Sequence, residues 1–211
     1  MDKKQNQVVL VDKKGKVIGV KEKNLAHQNP APLHQAVSVL IFDEAPTGSH
    51  PGYLLPALRR EQNPSEAKNS SLSSPSLRSR FFAKGDENKI LIQKRSKFKK
   101  TWPLTWSNTC CSHPYPGETF QKAAERRLKE EIGVTASLKR KFKLIYQAKY
   151  NSVWGENEYD WVFVGHYQGK LNSDPKEVAE LKWVELWELK KDIQKKPKDF
   201  TPWFKLILER I

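Results

Sequence analysis

The stretch WPLTWSNTCCSHPYPGETFQKAAERRLKEEIGV, residues 102–134, decides how the rest of the chain is interpreted. Its second half, from Glu118 to Ile132, is dominated by residues of high helix propensity, and Gly133 is the residue type that most often ends a helix. Its first half carries Cys111 and His113 shortly before that helix. We therefore predict a long helix whose start lies beside groups that can bind a metal ion or transfer a proton.

Apolar and β-branched runs on both sides of this helix predict a sheet. The runs at 8–11 and 17–21 flank a polar, glycine-containing turn and predict a hairpin. The apolar run 36–42 suits a buried strand, and 89–95 is predicted to be its neighbour. Further strands are predicted at 144–150, 159–167 and 181–186, and further helices at 187–194 and 202–210. This order of elements predicts the α/β (α+β) class, with a mixed sheet sandwiched between helices.

Residues 44–88 interrupt this pattern. The segment is rich in Ser, Pro and Gly and has no long apolar periodicity, which is typical of a flexible insertion or a long surface loop. We predict one domain over residues 1–211, in which this segment is an insertion without a catalytic role.

The composition says more about the compartment in which the protein works than about its function. The chain has 211 residues and a formal net charge of +14, which fits simple solubility, a polyanionic partner or a small phosphorylated substrate. Its two cysteines, Cys110 and Cys111, are adjacent, and neighbouring cysteines form only a strained disulfide, so we predict free thiols in a reducing compartment. No signal-peptide pattern and no bilayer-spanning run is visible, so a cytoplasmic location is expected.

The segment around the helix is similar to the Nudix box, G-x5-E-x7-R-E-U-x-E-E-x-G-U, in which U is aliphatic. Aligned on its last glycine, the sequence matches the box at Glu118, Arg126, Leu128, Glu130, Glu131, Gly133 and Val134. Two positions differ, because Ser112 replaces the first glycine and Arg127 replaces the first glutamate of the R-E pair. The second change removes a carboxylate from the usual Mg²⁺ cluster and adds a cation, which argues against ordinary Nudix hydrolysis.

A more specific resemblance comes from the segment before the helix. With Trp102-Pro103, Trp106 and the run from Asn108 to Pro114, the chain resembles type 1 isopentenyl diphosphate isomerases, a divergent branch of the Nudix fold. The two departures from the Nudix box fit that branch. The resemblance covers nearly the whole chain except residues 44–88.

The resemblance implies a metal site whose ligands come from distant parts of the chain. Two upstream histidines about seven residues apart are matched by His27 and His34, and a downstream Glu-x-Glu pair by Glu156 and Glu158. Residues two apart on an extended chain point to one side, so the two glutamates can face one ion. With His113 they form a three-His, two-carboxylate set that suits Mn²⁺, Zn²⁺ or, less selectively, Mg²⁺.

The remaining matches imply a substrate site and catalytic groups. Glu131 corresponds to the family's carboxylate for the Mg²⁺ that bridges to the substrate diphosphate. The residues that correspond to the family's diphosphate-binding cations are Lys23, Arg95, Lys99 and Arg127. Guanidinium and ammonium groups suit a diphosphate, although in so basic a chain each one alone also fits a solvated surface. Trp203 matches a tryptophan that lines the hydrocarbon pocket, and the catalytic roles fall to Cys111 and Glu158, assisted by Tyr146.

The implied reaction is the isomerisation of isopentenyl diphosphate to dimethylallyl diphosphate, a step that feeds isoprenoid biosynthesis. The double bond moves when one carbon gains a proton and another loses one, through a tertiary carbocation that must be kept from water. Trp203 and Trp106 offer aromatic faces to such a cation. The residues leave open whether Cys111 or Glu158 adds the proton. The expected partner is a small-molecule diphosphate, with neither nucleic acid nor a membrane, and a monomer is the default.

Two other functions compete with this interpretation. A Nudix diphosphohydrolase would need more helix carboxylates than Arg127 leaves, and it would not use Cys111 or the three histidines. A non-enzymatic protein that binds RNA or an acidic partner would use the positive charge, but it would leave the His, Glu and Cys pattern unexplained.

Overall fold

The predicted mixed sheet is present in the computed structural model, which describes residues 3–43 and 89–211. Its strands in chain order are β1 (Gln7–Val11), β2 (Val17–Glu22), β3 (His34–Phe42), β4 (Lys89–Arg95), β5 (Trp106–Ser107), β6 (Cys110–Ser112), β7 (Leu138–Lys149), β8 (Gly155–His166) and β9 (Val178–Glu185). Its helices are α1 (Lys23–Ala26), α2 (Phe120–Ile132), α3 (Leu186–Lys195) and α4 (Pro202–Leu208), with 3-10 turns at Lys3–Asn6 and Pro197–Asp199. The insertion predicted at 44–88 lies outside the described residues, so it and the single-domain assignment stay predictions.

Strand β3 is the centre of the sheet. It pairs antiparallel with β1, β4 and β6 and parallel with β8 along its whole length, from His34 opposite Glu158 onward. The hairpin of β1 and β2 and the pairing of β3 with β4 confirm the sequence predictions. Strand β7 pairs with β8, and β5 and β9 both pair with β4.

Alternation along β3 divides the core between the two faces of the sheet. Val37, Val39 and Ile41 pack in a cluster with the buried side chains of α2. Leu40 and Phe42 pack in a second cluster, which includes the buried side chains of α3 and α4. Helices therefore cover both faces, and the predicted sandwich is confirmed.

The same alternation separates the two cysteines. Strand β6 lies against β3, with Cys110 opposite Val39 and Cys111 opposite Ser38. Cys110 is fully buried in the cluster under α2, whereas Cys111 packs against the cluster on the opposite face. Both are free thiols, as predicted. They lie on the short strand β6, which the sequence did not predict, because Val39 and Ser38 of β3 pair with them.

Helix α2 begins and ends at residues whose chemistry sets its limits. It starts at Phe120, two residues later than predicted, because the Thr119 hydroxyl accepts a hydrogen bond from the Lys122 N–H at 3.2 Å. Gly133 ends it with a φ of +73°, where a Cβ atom would lie 2.6 Å from the Asn172 carbonyl oxygen.

Strands β7 and β8 begin several residues earlier than predicted, and the helical turn α1 was missed. Strands β7 and β8 begin at Leu138 and Gly155 rather than at residues 144 and 159. The first half of β7 is mostly Lys and Arg, and these side chains stay exposed because its described strand partner, β8, pairs along one side only. The short α1 was not predicted. None of the described helices has the length and apolar character needed to cross a membrane.

Candidate active site

Strand register brings several predicted residues to one face of the sheet. On β3, His34 and Ser38 are four residues apart and therefore share a face. His34 lies opposite Glu158 on β8, and Glu158 lies opposite Tyr146 on β7. Ser38 lies opposite Cys111 on β6. Since directly paired residues point to the same side, these side chains all project from the face opposite α2.

The five predicted metal ligands form one cluster. The imidazole nitrogens and carboxylate oxygens of His27, His34, His113, Glu156 and Glu158 lie within 4.8 Å of one another. His27 Nε2 is 3.0 Å from Glu156 Oε2, and His113 Nε2 is 2.9 Å from Glu158 Oε1. His34 Nε2 is 3.8 Å from the same Glu158 oxygen. Residues from three separate segments of the chain, 27–34, 113 and 156–158, thus meet at one point.

The hydrogen bonds around this cluster leave atoms free for an ion. His27 Nδ1 donates to the Lys23 carbonyl at 2.6 Å and His34 Nδ1 to the Pro32 carbonyl at 2.9 Å, so their Nε2 lone pairs face inward. Within the described residues, His34 Nε2 and Glu156 Oε2 are buried without a hydrogen-bond partner. Such atoms cost free energy unless something satisfies them, and a divalent cation would do so. The residues present therefore fit a metal ion.

Burial disfavours the charged form of all three histidines. Burial, together with the charge of nearby His27, lowers the pKa of His34 to about 4 and that of His113 well below its usual value. At His27 the effect of burial is outweighed by the Glu156 carboxylate, and the pKa is raised. His34 and His113 are therefore neutral near pH 7, which is the form that binds metal ions.

The pKa values of the two glutamates of the cluster are shifted in opposite directions. Burial raises the pKa of Glu158 well above its usual value, and the charges of Glu156 and Asp160 act in the same direction. Burial also acts on Glu156, but His27 keeps its pKa low. Tyr146 Oη donates to Glu158 Oε2 at 2.5 Å. Two neighbouring carboxyl groups with divergent pKa values are a common arrangement for proton transfer.

Cys111 faces a buried guanidinium group. Arg95 Nη1 lies 3.7 Å from the Cys111 sulfur. Burial raises the pKa of Cys111 to about 12, although Arg95 acts in the opposite direction. Other N–H groups of Arg95 donate to the carbonyls of Thr101 and Trp102 at 3.0 and 3.1 Å, and the guanidinium lies 5.3 Å from the centre of the Trp203 ring. Arg95 therefore supports the wall around Cys111 as well as adding positive charge.

These residues line a cavity of about 310 Å³. All the predicted site residues line it except His34, which is fully buried, and Glu131. Trp203 is held in place because its Nε1 donates to Asn108 Oδ1 at 3.1 Å. Trp154 lines the cavity, whereas Trp106 is not among the described residues that do. The tryptophans that line the cavity among the described residues are therefore Trp203 and Trp154 rather than the expected Trp203 and Trp106.

The predicted diphosphate-binding cations line the same cavity, and two of them, Lys99 and Arg127, have carboxylate partners. Lys99 forms an ion pair with Glu177, and Arg127 Nη2 lies 3.2 Å from Glu177 Oε1. Although burial opposes it, the charges of Lys99 and Arg127 lower the pKa of Glu177 to about 2. Burial, reinforced by the same two cations, lowers the pKa of Lys23. A cluster of this kind attracts an anion strongly.

Glu131 lies apart from the five-residue cluster. It is fully buried, pairs with Arg127 and accepts a hydrogen bond from Gln93 Nε2 at 3.3 Å. Its predicted role, to bind a second ion beside the diphosphate, stays a prediction.

Two residues of the Nudix box have a structural role. Arg126 Nε and Nη2 each lie 2.8 Å from a different oxygen of Glu118. Glu118 also accepts from the Tyr115 N–H at 2.9 Å, and Arg126 donates to the His113 carbonyl at 3.3 Å. This pair therefore holds the loop that carries His113 against α2.

Sequence reasoning missed three polar residues of the site. Asp160 is fully buried, and burial raises its pKa to about 7. It continues the alternation of Glu156 and Glu158 along β8, so spacing alone could have identified it. The Thr101 hydroxyl donates to Glu156 at 2.9 Å, and Glu177 forms ion pairs with Lys99 and Arg127. These contacts join distant segments, and no local pattern signals them.

Comparisons with known proteins agree with this geometry. A family model described as the NUDIX domain matches residues 80–204, so the fold and the site define a NUDIX-domain protein. "Isopentenyl-diphosphate Delta-isomerase 2" of Aromatoleum aromaticum is 33% identical over 98% of this chain and 87% of its own length. The Delta-isomerase of Nocardia farcinica is 32% identical over 96% and 92%, and that of Streptomyces coelicolor 34% over 95% and 80%. The chain belongs to the isopentenyl-diphosphate Delta-isomerase family.

Solved structures confirm the fold. The Deinococcus radiodurans protein DR0079 superposes with a TM-score of 0.63 at 13% identity, covering 97% of this chain and 98% of its own. A MutT protein from Methanosarcina mazei Go1 gives 0.54 at 15% identity, covering 85% and 92%. At these identities the likeness concerns the fold alone, and it confirms the Nudix-like architecture.

Proposed function

We propose that this protein isomerises isopentenyl diphosphate to dimethylallyl diphosphate. The observation that carries the proposal is that one cavity combines a thiol, a Tyr-bonded carboxyl group and the four predicted diphosphate-binding cations, beside a five-residue metal cluster. Membership of the isomerase family supports the same reaction.

The reaction needs two proton transfers and a dry site. The terminal CH₂ of the alkene gains a proton, which leaves a tertiary carbocation, and the carbon on the diphosphate side then loses a proton to form the new double bond. Cys111 and Glu158 take these two roles, and Tyr146 assists through its hydrogen bond to Glu158. The ring of Trp203, with Trp154 nearby, excludes water and presents an aromatic face to the cation.

The metal cluster supports the carboxyl chemistry. We assign a divalent ion, Mn²⁺, Zn²⁺ or Mg²⁺, to the three histidines and two glutamates, since His34 Nε2 and Glu156 Oε2 are buried without a hydrogen-bond partner among the described residues. When bound, this ion supplies positive charge that adjusts the acidity of Glu158. Glu131 is assigned to Mg²⁺ that accompanies the diphosphate.

Four cations bind the diphosphate in this proposal: Lys23, Arg95, Lys99 and Arg127. All four line the cavity, and Lys99 and Arg127 approach the same carboxylate of Glu177 from two sides. An anion of that geometry can be exchanged for a phosphate group. We also expect a reducing, cytoplasmic compartment, because Cys111 acts only as a free thiol, and we take a monomer as the default state.

The decisive experiment is turnover in D₂O with and without a chelator. The expected product is dimethylallyl diphosphate that carries deuterium, formed only when divalent metal is present. Release of inorganic phosphate or pyrophosphate without isomerisation would instead support a Nudix hydrolase. RNA binding that weakens with salt, together with no turnover, would support a binding protein.

A further inference from the structure

Thr101 is a buried polar residue that no motif accounts for. It lies between β4 and β5 at the start of the segment 101–105, is 6% exposed and lines the cavity. Its hydroxyl donates a hydrogen bond to Glu156 Oε1 at 2.9 Å. A buried hydroxyl that donates to a buried carboxylate restricts the rotation of that carboxylate.

The bond divides the two oxygens of Glu156 between two partners. Oε1 accepts from Thr101, whereas Oε2 lies 3.0 Å from His27 Nε2 and has no hydrogen bond among the described residues. The carboxylate therefore turns one oxygen to the hydroxyl and the other to the imidazole cluster. Free rotation would move the second oxygen away from the other ligands.

The backbone around Thr101 is itself held in place. Its carbonyl accepts from Arg95 Nη2 and Nε at 3.0 and 3.3 Å, and the Trp102 carbonyl accepts from Nε at 3.1 Å. Trp102 and Leu104 have φ values of +44° and +56°, which non-glycine residues adopt only when surrounding contacts impose them. The Leu104 N–H donates to the Arg95 carbonyl at 3.0 Å, which closes the segment on β4. The hydroxyl therefore has a fixed position.

We propose that Thr101 is a positioning residue that orients Glu156 for the divalent ion. This inference rests on the metal site in the proposed function and adds a residue outside the ligand set. Hydrogen-bond partners of metal ligands set the direction of the ligand lone pairs, and their loss weakens metal binding about 10- to 100-fold. Because Thr101 also bonds Arg95, it links the metal cluster to the wall around Cys111.

The test is Mn²⁺ affinity, measured by calorimetric titration of chelator-treated protein. Thr101→Val keeps the shape and removes the hydroxyl, and Thr101→Ser keeps the hydroxyl. We expect the Mn²⁺ dissociation constant to rise about 10- to 100-fold in Thr101→Val and to change less than about threefold in Thr101→Ser. Raising Mn²⁺ should restore isomerase turnover to the Val variant. Thr105→Val is the matched control, because its hydroxyl donates to the Pro103 carbonyl in the same segment and does not contact the cluster.

Equal Mn²⁺ affinity in Thr101→Val and the wild type overturns the proposal, as does equal weakening in the Val and Ser variants, which would indicate packing rather than the hydroxyl. If Thr101→Val does not fold, Thr101→Ala removes the same hydroxyl without adding a methyl group and is judged by the same criteria. Weakened Mn²⁺ binding in a protein that proves not to be an isomerase would refute the proposed function and leave this inference standing. Normal isomerisation with unchanged Mn²⁺ affinity in the variants would do the reverse.

Discussion

The five-residue metal cluster and the cation cluster, which consists of Lys23, Lys99 and Arg127 around Glu177, face one cavity. They differ in whether their groups must change partners before a ligand can bind. Among the described residues, His34 Nε2 and Glu156 Oε2 of the metal cluster are buried without hydrogen-bond partners, and both carboxyl groups already face imidazoles of the same cluster. In the cation cluster, Lys99 and Arg127 are already paired with Glu177. The first is built to receive a cation with little rearrangement, whereas the second must exchange a protein carboxylate for the substrate. We therefore expect substitutions in the metal cluster to affect metal binding, and substitutions in the cation cluster to affect substrate binding.

The largest effect is expected at Cys111, which lines the cavity that both clusters face. Cys111→Ala should lower kcat by about 10²- to 10⁴-fold, the usual contribution of a general acid or base. Steady-state turnover measures this directly. Cys110→Ala is the control, because Cys110 lies on the opposite face of the sheet and should keep nearly full kcat. Similar losses in both variants would assign the effect to packing.

Removal of one metal ligand should abolish the stabilisation that metal gives. At a Mn²⁺ concentration of 100 Kd, binding to the folded state adds about 2.7 kcal/mol to the free energy of unfolding. Thermal unfolding with and without Mn²⁺ should show this gain in the wild type and lose it in His34→Ala. His166→Ala serves as the control, since His166 is exposed and lies outside the cluster. A full gain in His34→Ala would break the claim that this cluster is preformed.

A substitution in the cation cluster should act on substrate binding more than on chemistry. Lys99→Gln removes a charge-assisted hydrogen bond worth about 1.5–3 kcal/mol, so KM should rise roughly tenfold or more while kcat changes little. The control is Lys97→Gln, an exposed lysine that does not line the cavity. A fall in kcat without a change in KM would contradict the assignment.

The smallest effect is expected from the carboxylate that the substrate must displace. Glu177→Gln removes the negative charge that Lys99 and Arg127 share, so inorganic pyrophosphate should inhibit the variant at roughly threefold lower concentration. Weaker inhibition in the variant would mean that Glu177 positions the cations rather than competing with the substrate.

The pH dependence of folding tests the same ion pairs. The folded pKa of Glu177, about 2, lies below its unfolded value, so its stabilisation is complete above about pH 4.5 and is lost as the pH falls toward 2. The stability difference between wild type and Glu177→Gln should therefore shrink by about 1–2 kcal/mol over that range, after allowance for partial exposure. Urea unfolding at pH 6 and pH 3 measures it.

Much of this could be predicted from sequence because the ligands carry their own signals. Glu156 and Glu158 follow the two-residue period of a strand, and α2 has the spacing of a known motif. The start of β7 was missed because a strand exposed along one edge tolerates Lys and Arg, which removes the apolar signal. Thr101 was missed because its hydrogen-bond partner Glu156 lies 55 residues away, and no local sequence pattern around a single threonine indicates such a contact.

The division of the two cysteines between opposite faces of the sheet constrains how this chain can change its length. Cys110 and Cys111 exchange places if β6 shifts by one residue against β3. The loop before α2 can accommodate the insertion or deletion of a single residue. The same change inside β6 would place Cys110 in the cavity and Cys111 under α2. The register of β6 against β3 therefore decides which of these two identical side chains reaches the cavity, because successive residues of a strand point to opposite faces of the sheet.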